Sequence, residues 1–461
     1  MSAVDNDLIC AVATPPGEGG VGILRLSGPG AQQAAKAVFL KELSPRLARY
    51  GVFHVDGEPV DDGIALFFPG PNSFTGEDVV ELQGHGSPVV QQILLQALCN
   101  VGARLARPGE FSERAFLNGK LDLVQAEAVA DLIAAKSQTA AKAALSSFQG
   151  VFSSQITALA DVLLGLRIEV EAAIDFPDED IEILEQAKVS QTIAELLDQL
   201  EALIAQAEQG RRLNHGITVA LVGAPNVGKS SIVNALAREE AAIVTEIPGT
   251  TRDLLKVDVV IDGQSLQLVD TAGLRDSDDP VEQIGIERAR QQVGRADIIV
   301  LVVSAETLLE QQPELNLDDY FRQMSQLIGL DLSQQGHQDV VLAVNKVDLG
   351  RPVINAAWQE KACLVSAASG DGLDELGSRL IRGQTSSGET TVFTARQRHI
   401  QALQRTRDLL CKAAAGLSQQ AGAELIAEDC QLAHQALGEI VGQLTPDDLL
   451  GEIFSSFCIG K

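Results

Sequence analysis

The feature that most constrains this chain is the octapeptide GAPNVGKS at residues 223–230. It matches the pattern G-x-x-x-x-G-K-S, ends the apolar run TVALVG and opens the helical stretch SSIVNALA. A strand, a glycine-rich turn and a helix in this order form a loop whose backbone amides and helix N-terminus cradle phosphate groups. The sequence therefore predicts a phosphate site in which Lys229 contacts the β- and γ-phosphates and Ser230 binds Mg²⁺.

Further motifs follow in the order and at the spacing of guanine-nucleotide sites: GTTRD at 249–253, DTAG at 270–273, NKVD at 345–348 and SAAS at 366–369. Thr251 is expected to contact Mg²⁺ and the γ-phosphate, and the Asp348 carboxylate can accept two hydrogen bonds from the guanine edge, which adenine does not offer. The motifs predict a site for GTP and GDP. Its residues are Asn226, Val227, Gly228, Lys229, Ser230, Ser231, Gly249, Thr250, Thr251, Asp270, Thr271, Ala272, Gly273, Asn345, Lys346, Asp348, Ser366, Ala367 and Ala368.

The residue after DTAG is Leu274, where many GTPases have a glutamine that orients the attacking water. Either hydrolysis is slow or another group acts. Arg275, Asp276 and Glu282 lie just downstream as candidates. From the residues alone, solvated loop charges are the simpler interpretation of all three.

Composition narrows the class of protein. The formal net charge of −28 disfavours wholesale binding to phosphate backbones, although two local groups of basic residues stand out. Solvated helix faces are the expected role of both groups, at 104–120 and 396–407.

The six cysteines form no CxxC, so neither a zinc site nor a disulfide framework is indicated. No signal peptide and no uninterrupted apolar run of membrane length is evident, so we expect a cytoplasmic protein without a membrane partner.

The sequence predicts a division of the chain into four segments. Residues 1–120 alternate short apolar runs with Gly and Pro and predict an α+β domain, with strands at 21–28, 61–70 and 78–86 and a helix at 88–101. Residues 121–216 and 385–461 have helical composition, and residues 217–384 alternate strand and helix. The fold class expected is multidomain α/β, with a P-loop GTPase domain inserted into a helical domain. Two separate helical domains are the alternative.

Long stretches of the chain resemble one family. They are ATPPGEGGVGILRLSG at 13–28, FTGEDVVELQGHG at 74–86, RPGEFSERAFLNGKLDLVQAEAV at 107–129, the nucleotide motifs and the terminal CIGK. Together they resemble the bacterial tRNA-modification GTPase family MnmE, also called TrmE, over essentially the whole chain. The resemblance implies a homodimer joined through folate-binding-like N-terminal domains. It also implies a flavin-dependent partner (MnmG, or GidA) and tRNA as substrate, modified at carbon 5 of the wobble uridine with an aminomethyl-type group.

The resemblance also implies roles for individual residues. Asn226 and the stretch Thr245, Glu246, Ile247, Pro248, Gly249 and Thr250 match positions around a K⁺ beside the phosphates, with Asn226, Thr245, Ile247 and Thr250 as its ligands. Glu282 matches the catalytic glutamate that orients the water. Positions that contact a 5-formyl- or methylene-tetrahydrofolate are matched by Arg25, Glu81, Lys120 and Lys461, for which surface ion pairs are the alternative. Cys458 matches the cysteine of the family's C-terminal motif and is expected to be catalytic, with a small buried apolar residue as the alternative.

The function expected is that of a K⁺-dependent, Mg²⁺-binding GTPase in wobble-uridine modification. A ribosome-assembly or regulatory GTPase switch without RNA chemistry is the alternative. That second class normally carries an appended basic RNA-binding domain. This chain instead has an acidic helical segment, a folate-like module and a terminal cysteine.

Overall fold

The computed structural model describes residues 7–175, 182–239, 256–261, 264–270, 293–294, 296–311, 321–322, 325–326, 339–352, 362–382, 393–419, 422–443, 447–455, 457 and 460. The chain divides into two compact units. The first comprises Met1–Ala134, Ala144–Ala205 and Arg396–Lys461, and the second comprises Ala135–Ala143 and Gln206–Ala395.

The first unit begins with a six-stranded sheet. Its strands are β1 (Ile9–Val12), β2 (Gly19–Ser27), β3 (Arg49–Val55), β4 (Glu58–Phe68), β5 (Val79–Gly86) and β6 (Arg104–Leu105), in the order β3-β4-β5-β2-β1-β6. Neighbouring strands are antiparallel, except that β1 and β6 run parallel to each other. Helices α1 (Ala31–Ala35) and α2 (Pro88–Asn100) contribute to one apolar core with the inward residues of these strands. The predicted strands and the helix at 88–101 are confirmed.

Helices dominate the chain after β6. They are α3 (Glu110–Leu117), α4 (Leu123–Ala134), α5 (Gln138–Phe148), α6 (Val151–Asp175) and α7 (Glu182–His215). In α6, the buried residues Ile156, Leu159, Leu163 and Leu166 recur every three or four positions, as one face of a helix requires. By length and composition, Val151–Ala172 would also qualify as a membrane span. One third of its 18-residue apolar window is buried inside the protein.

The second unit is built on a six-stranded sheet whose order is β12-β11-β10-β7-β9-β8. Its elements are β7 (Ile217–Val222), α8 (Lys229–Glu239), β8 (Lys256–Ile261), β9 (Gln264–Asp270), β10 (Ile298–Ser304), α9 (Ala305–Gln311), β11 (Asp339–Asn345), β12 (Ala362–Leu364) and α10 (Leu373–Arg382). Neighbouring strands are parallel, except that β8 and β9 are antiparallel to each other. Along β7, Val219 and Leu221 enter one apolar core while Ala220 and Val222 enter another, so both faces of the sheet are covered.

The chain then returns to the first unit through α11 (Gln397–Ser418), α12 (Ala423–Val441) and α13 (Asp447–Ser455). Helix α12 packs against both α11 and α6. Helical segments that precede and follow the second unit in the sequence therefore belong to one unit. The expected fold class is confirmed, including the insertion of the α/β domain. The second unit also takes in residues 135–143, from which Lys136 forms an ion pair with Asp258.

The expectation that the basic groups are solvated helix faces is wrong for three arginines. Arg398 donates two hydrogen bonds of 2.8 Å to the buried carboxylate of Glu127, and Arg396 donates one of 2.6 Å to Asp131. The side chain of Arg114 is 3% exposed and pairs with Glu110 among other carboxylates. Carboxylates of the same unit draw these guanidiniums inward, because a buried charge needs a partner. Those of Arg396 and Arg398 come from α4, whereas Glu110 lies on the same helix as Arg114.

Candidate nucleotide-binding site

The predicted phosphate loop joins β7 to α8 through two glycines that no other residue can replace without strain. Gly223 has a φ of 157°, and a Cβ there would lie 2.2 Å from the carbonyl oxygen of Val302. Gly228 has a φ of 95°, and its Cβ would lie 2.2 Å from Nδ2 of Asn345. The loop therefore has this shape only with glycine at both positions.

Lys229 lies at the first position of α8 and is only 8% exposed. Its Nζ donates to the carbonyl oxygens of Gly223 and Ala224, at 2.9 and 3.1 Å. Burial lowers the pKa of Lys229, and the carboxylate of Asp270 opposes that shift. The ammonium is thus held over the loop, where it can meet the phosphates of a nucleotide.

Ser230 and Asp270 meet beside the loop. The hydroxyl of Ser230 donates to Oδ2 of Asp270, the last residue of β9. Asp270 is 2% exposed, and its Oδ1 is buried with no hydrogen-bond partner among the residues that the structure describes. A hydroxyl and a carboxylate with an unused oxygen suit Mg²⁺, which prefers oxygen ligands.

Asn345 links the NKVD motif to two other loops. Its Nδ2 donates to the carbonyl oxygen of Val227 at 2.9 Å, and its Oδ1 accepts a hydrogen bond of 3.1 Å from the amide of Ala367. Asp348 is exposed and accepts a 2.6 Å hydrogen bond from the hydroxyl of Ser366. The phosphate loop and the two predicted base-contacting loops are therefore tied together at the carboxyl ends of parallel strands, where α/β sheets bind their ligands.

A second cluster of predicted site residues lies in the first unit. Arg25 on β2 faces Glu81 on β5 in register, with Nη2 of Arg25 2.8 Å from Oε1 of Glu81. Nη1 of Arg25 donates to the carbonyl oxygen of Gly460 at 3.3 Å. The rings of Phe74 and Phe111 lie 5.6 and 5.8 Å from the guanidinium. The two side chains thus form an ion pair, 20% and 16% exposed, between aromatic rings and the C-terminal segment rather than on the open surface.

Comparisons with known proteins cover the whole chain. The MnmE helical domain matches residues 123–458, and the N-terminus of GTP-binding protein TrmE matches residues 8–120. The tRNA modification GTPase MnmE of Marinobacter nauticus is 50% identical over 463 residues, which are 99% of each chain. The chain belongs to the MnmE (TrmE) family. The MnmE of Pseudomonas fluorescens is also 50% identical, over 468 residues and the full length of both chains.

Among solved structures, the G domain of the T. maritima FeoB iron transporter matches 37% of this MnmE-family chain and 99% of its own, at 24% identity and a TM-score of 0.26. The resemblance inferred from the sequence motifs is confirmed by the family matches.

Several predicted site residues of this family member lie outside the described residues: Thr245, Glu246, Ile247, Pro248, Gly249, Thr250, Thr251, Thr271, Ala272, Gly273, Glu282, Cys458 and Lys461, together with Leu274, Arg275 and Asp276. Among the described ones, Asn226 has a left-handed φ of 63° in the phosphate loop. Lys120 is exposed, and its Cγ would lie 3.2 Å from a Cβ on Gly76.

The aromatic rings beside Arg25 were not predicted from the sequence. Phe74 and Phe111 both fall within stretches that carry the family resemblance, FTGEDVVELQGHG and RPGEFSERAF. Phenylalanines beside charged residues in such stretches were the available signal, because a ring face attracts a guanidinium.

Proposed function

We propose that this chain hydrolyses GTP as a component of the system that modifies carbon 5 of the wobble uridine of tRNA. The relatives named above are tRNA modification GTPases that match the chain over at least 99% of its length. The observation that carries the nucleotide part is the phosphate loop, where Ser230 is bonded to Asp270 and Asn345 ties the loop to Ala367.

Within this proposal the nucleotide site uses the residues predicted from the motifs. Lys229 contacts the phosphates, and Asp348 accepts two hydrogen bonds from guanine. Ser230 and Thr251 would bind Mg²⁺ and Asp270 would hold its water shell. The bound ion would neutralise charge on the phosphate oxygens. The Oδ1 of Asp270, which has no hydrogen-bond partner among the described residues, supports this assignment.

Base specificity tests the site directly. Purified protein should bind GTP and GDP, and ATP should not compete. Asp348→Asn should shift the preference toward xanthine nucleotides, because an amide complements the altered edge of that base. Glu306→Gln is a matched control on a nearby exposed carboxylate that pairs with Lys346 at 3.7 Å, and it should keep guanine specificity. Equal binding of ATP and GTP by the wild type would contradict the assignment.

For hydrolysis we propose K⁺ dependence, with Asn226, Thr245, Ile247 and Thr250 as the K⁺ ligands and Glu282 orienting the water. A cation beside the phosphates stabilises charge that develops in the transition state. The left-handed turn at Asn226 supports this by placing an exposed amide side chain in the phosphate loop. Turnover should be much lower in Na⁺ than in K⁺, and Glu282→Ala should lose turnover while keeping nucleotide binding. Equal rates in the two salts would refute it.

For the first unit we propose a tetrahydrofolate site, with 5-formyl- or methylene-tetrahydrofolate as the ligand of Arg25, Glu81, Lys120 and Lys461. A pterin pairs well with a carboxylate, and a glutamate tail pairs with Arg or Lys. Arg25→Ala should weaken binding of a reduced folate in calorimetry. Arg49→Ala, an exposed arginine on edge strand β3, should not. Absence of heat with every tetrahydrofolate tested would refute the site.

The remaining parts of the proposal concern the assembly and the tail. They are a cytoplasmic homodimer, a flavin-dependent partner (MnmG, or GidA), and the four segments 1–120, 121–216, 217–384 and 385–461.

Cys458 is proposed to act near the one-carbon unit or the uridine. Cys458→Ser should abolish tRNA modification while GTP hydrolysis stays near the wild-type rate. Persistent modification in that variant would make Cys458 a structural residue.

A further inference from the structure

Two cysteines far apart in the sequence meet inside the first unit. Cys10 lies on β1 and Cys99 lies near the end of α2, separated by 89 positions, and their Sγ atoms are 3.9 Å apart. Cys10 is fully buried, whereas Cys99 is partly exposed. The contact therefore joins a fully buried cysteine to a partly exposed one.

Both backbones are fixed around this contact. Cys10 pairs with Leu26 on β2 and with Leu105 on β6, so its strand is held on both sides. The carbonyl oxygen of Cys99 accepts a hydrogen bond of 3.1 Å from the amide of Gly102, which closes the end of α2. The sulfurs lie 3.9 Å apart, and a disulfide requires them to approach to a bonding distance of about 2 Å.

We propose that Cys10 and Cys99 form a peroxide-responsive dithiol site that closes into a disulfide between β1 and α2. Neither the nucleotide site nor the proposed folate ligands include these residues, so this proposal stands apart from the proposed function. Disulfides that form transiently between nearby thiols are the usual kind in reducing compartments.

The chemistry uses hydrogen peroxide as the oxidant and proceeds in two balanced steps. The sulfur of Cys99 attacks one peroxide oxygen, the O–O bond breaks, and a sulfenic acid forms with release of one water. The sulfur of Cys10 then attacks the sulfenic sulfur, the S–O bond breaks, and a second water leaves with the Cys10 proton. Two thiols and one peroxide thus give one disulfide and two waters.

The two thiols differ in a way that fixes their order. Burial, reinforced by the neighbouring Cys99, raises the pKa of Cys10 to about 12. Cys10 is therefore a poor first nucleophile, because the thiolate is the reactive form. We therefore assign the partly exposed Cys99 as the thiol that meets peroxide. Cys10 resolves the sulfenic acid because its sulfur is held 3.9 Å away, which offsets its low thiolate fraction.

Trypsin gives a direct test, because cleavage after Arg25, Arg49 and Arg104 places Cys10 in peptide 1–25 and Cys99 in peptide 50–104. Only a disulfide joins these peptides. The experiment uses the full-length Cys411→Ser protein, which lacks the exposed thiol of α11. It is treated with hydrogen peroxide, alkylated and mapped by mass spectrometry without reduction.

The linked pair 1–25/50–104 should appear after peroxide, disappear with dithiothreitol, and be lost in Cys99→Ser and Cys10→Ala. The oxidised protein should also show an upward shift in unfolding temperature, because a cross-link across a long loop restricts the unfolded chain. Full alkylation of both cysteines after peroxide would overturn the proposal. So would linkage of Cys99 only to the peptide that carries Cys430 and Cys458.

Discussion

The two units of this protein build their sites in opposite ways. In the second unit, the sheet core is apolar, and the site is a loop shaped by glycines with positive φ and closed by hydrogen bonds to backbone carbonyls. In the first unit, charged side chains from distant segments are buried against each other, as in Glu127 with Arg398 and His399. The first kind of site depends on backbone shape and the second on charge balance.

The difference predicts different sensitivities. Burial raises the pKa of Glu127, but His399 and Arg398 outweigh it, and the net pKa lies well below its ordinary value of 4.5. Burial, together with the charge of Arg398, lowers the pKa of His399 below 6.5. Both groups therefore stabilise the fold at neutral pH, and their contributions are lost as the pH falls, first for His399 and then for Glu127. The first unit should be the acid-sensitive one.

The largest effect, a loss in the free energy of unfolding, is expected for Glu127→Gln. Glu127 is 1% exposed, and its loss leaves the charge of Arg398 without its carboxylate partner. Removing one partner of a buried pair costs about 3–5 kcal/mol. Denaturant unfolding should show this loss at pH 7 and a weaker dependence on pH below the ordinary pKa of glutamate.

Glu439→Gln is the matched control for that substitution, because Glu439 pairs with Arg405 at the surface. An exposed pair contributes about 0–1 kcal/mol. Equal losses in the two variants would remove the distinction between buried and exposed charge in this unit.

The next largest effect, a loss of nucleotide affinity, is expected for Gly228→Ala. A Cβ would press on Asn345, which is 2% exposed and held by Val227 and Ala367, so it has no room to yield. Overpacking costs about 1–3 kcal/mol and the left-handed φ about 1–2 kcal/mol, so nucleotide affinity should fall by about 30-fold or more. Titration with a fluorescent GDP analogue measures this.

Gly165→Ala is the control for the glycine substitution, since nothing lies within 4 Å of a Cβ at Gly165 in helix α6. It should leave nucleotide affinity unchanged and slightly stabilise the helix. A wild-type affinity in Gly228→Ala would show that the loop does not require this backbone shape.

The smallest effect is expected at an exposed charge pair of the first unit. His85 is 65% exposed, and its Nδ1 lies 2.6 Å from Oδ1 of Asp61. The hydrogen bond to Asp61 raises the pKa of His85 above 6.5. Any stability from this pair is present below the ordinary His pKa of 6.5 while Asp61 is ionised, and it is lost as the pH rises through the raised pKa. The His85 titration midpoint by NMR should fall in Asp61→Asn, with the smallest change in unfolding among these variants.

The same contrast explains what the sequence could predict. The nucleotide loop was predictable residue by residue, because its chemistry lies in contiguous motifs such as GAPNVGKS and NKVD. The alternation of strands and helices likewise predicted the parallel sheet. The site around Arg25 brings together Phe74, Glu81, Phe111 and Gly460, and no local pattern connects residues so far apart. Family resemblance supplied Arg25 and Glu81, but the aromatic flanks required the structure.

The buried pairing of Arg396 and Arg398 was missed for the same reason. Their partners Asp131 and Glu127 lie more than 260 positions away on α4. A run of arginines opening a helix is usually solvated, so the local pattern favoured the wrong interpretation. Long-range pairing between the helical segments decides their role.

The most direct test of the proposed function is nucleoside analysis of tRNA from a strain that lacks this chain. Plasmid-borne wild-type protein should restore the modified wobble uridine, and Gly165→Ala should do the same. Gly228→Ala should not restore it, because the account requires nucleotide binding for the modification. Unchanged wobble-uridine nucleosides in the deletion strain, or full restoration by Gly228→Ala, would contradict the account.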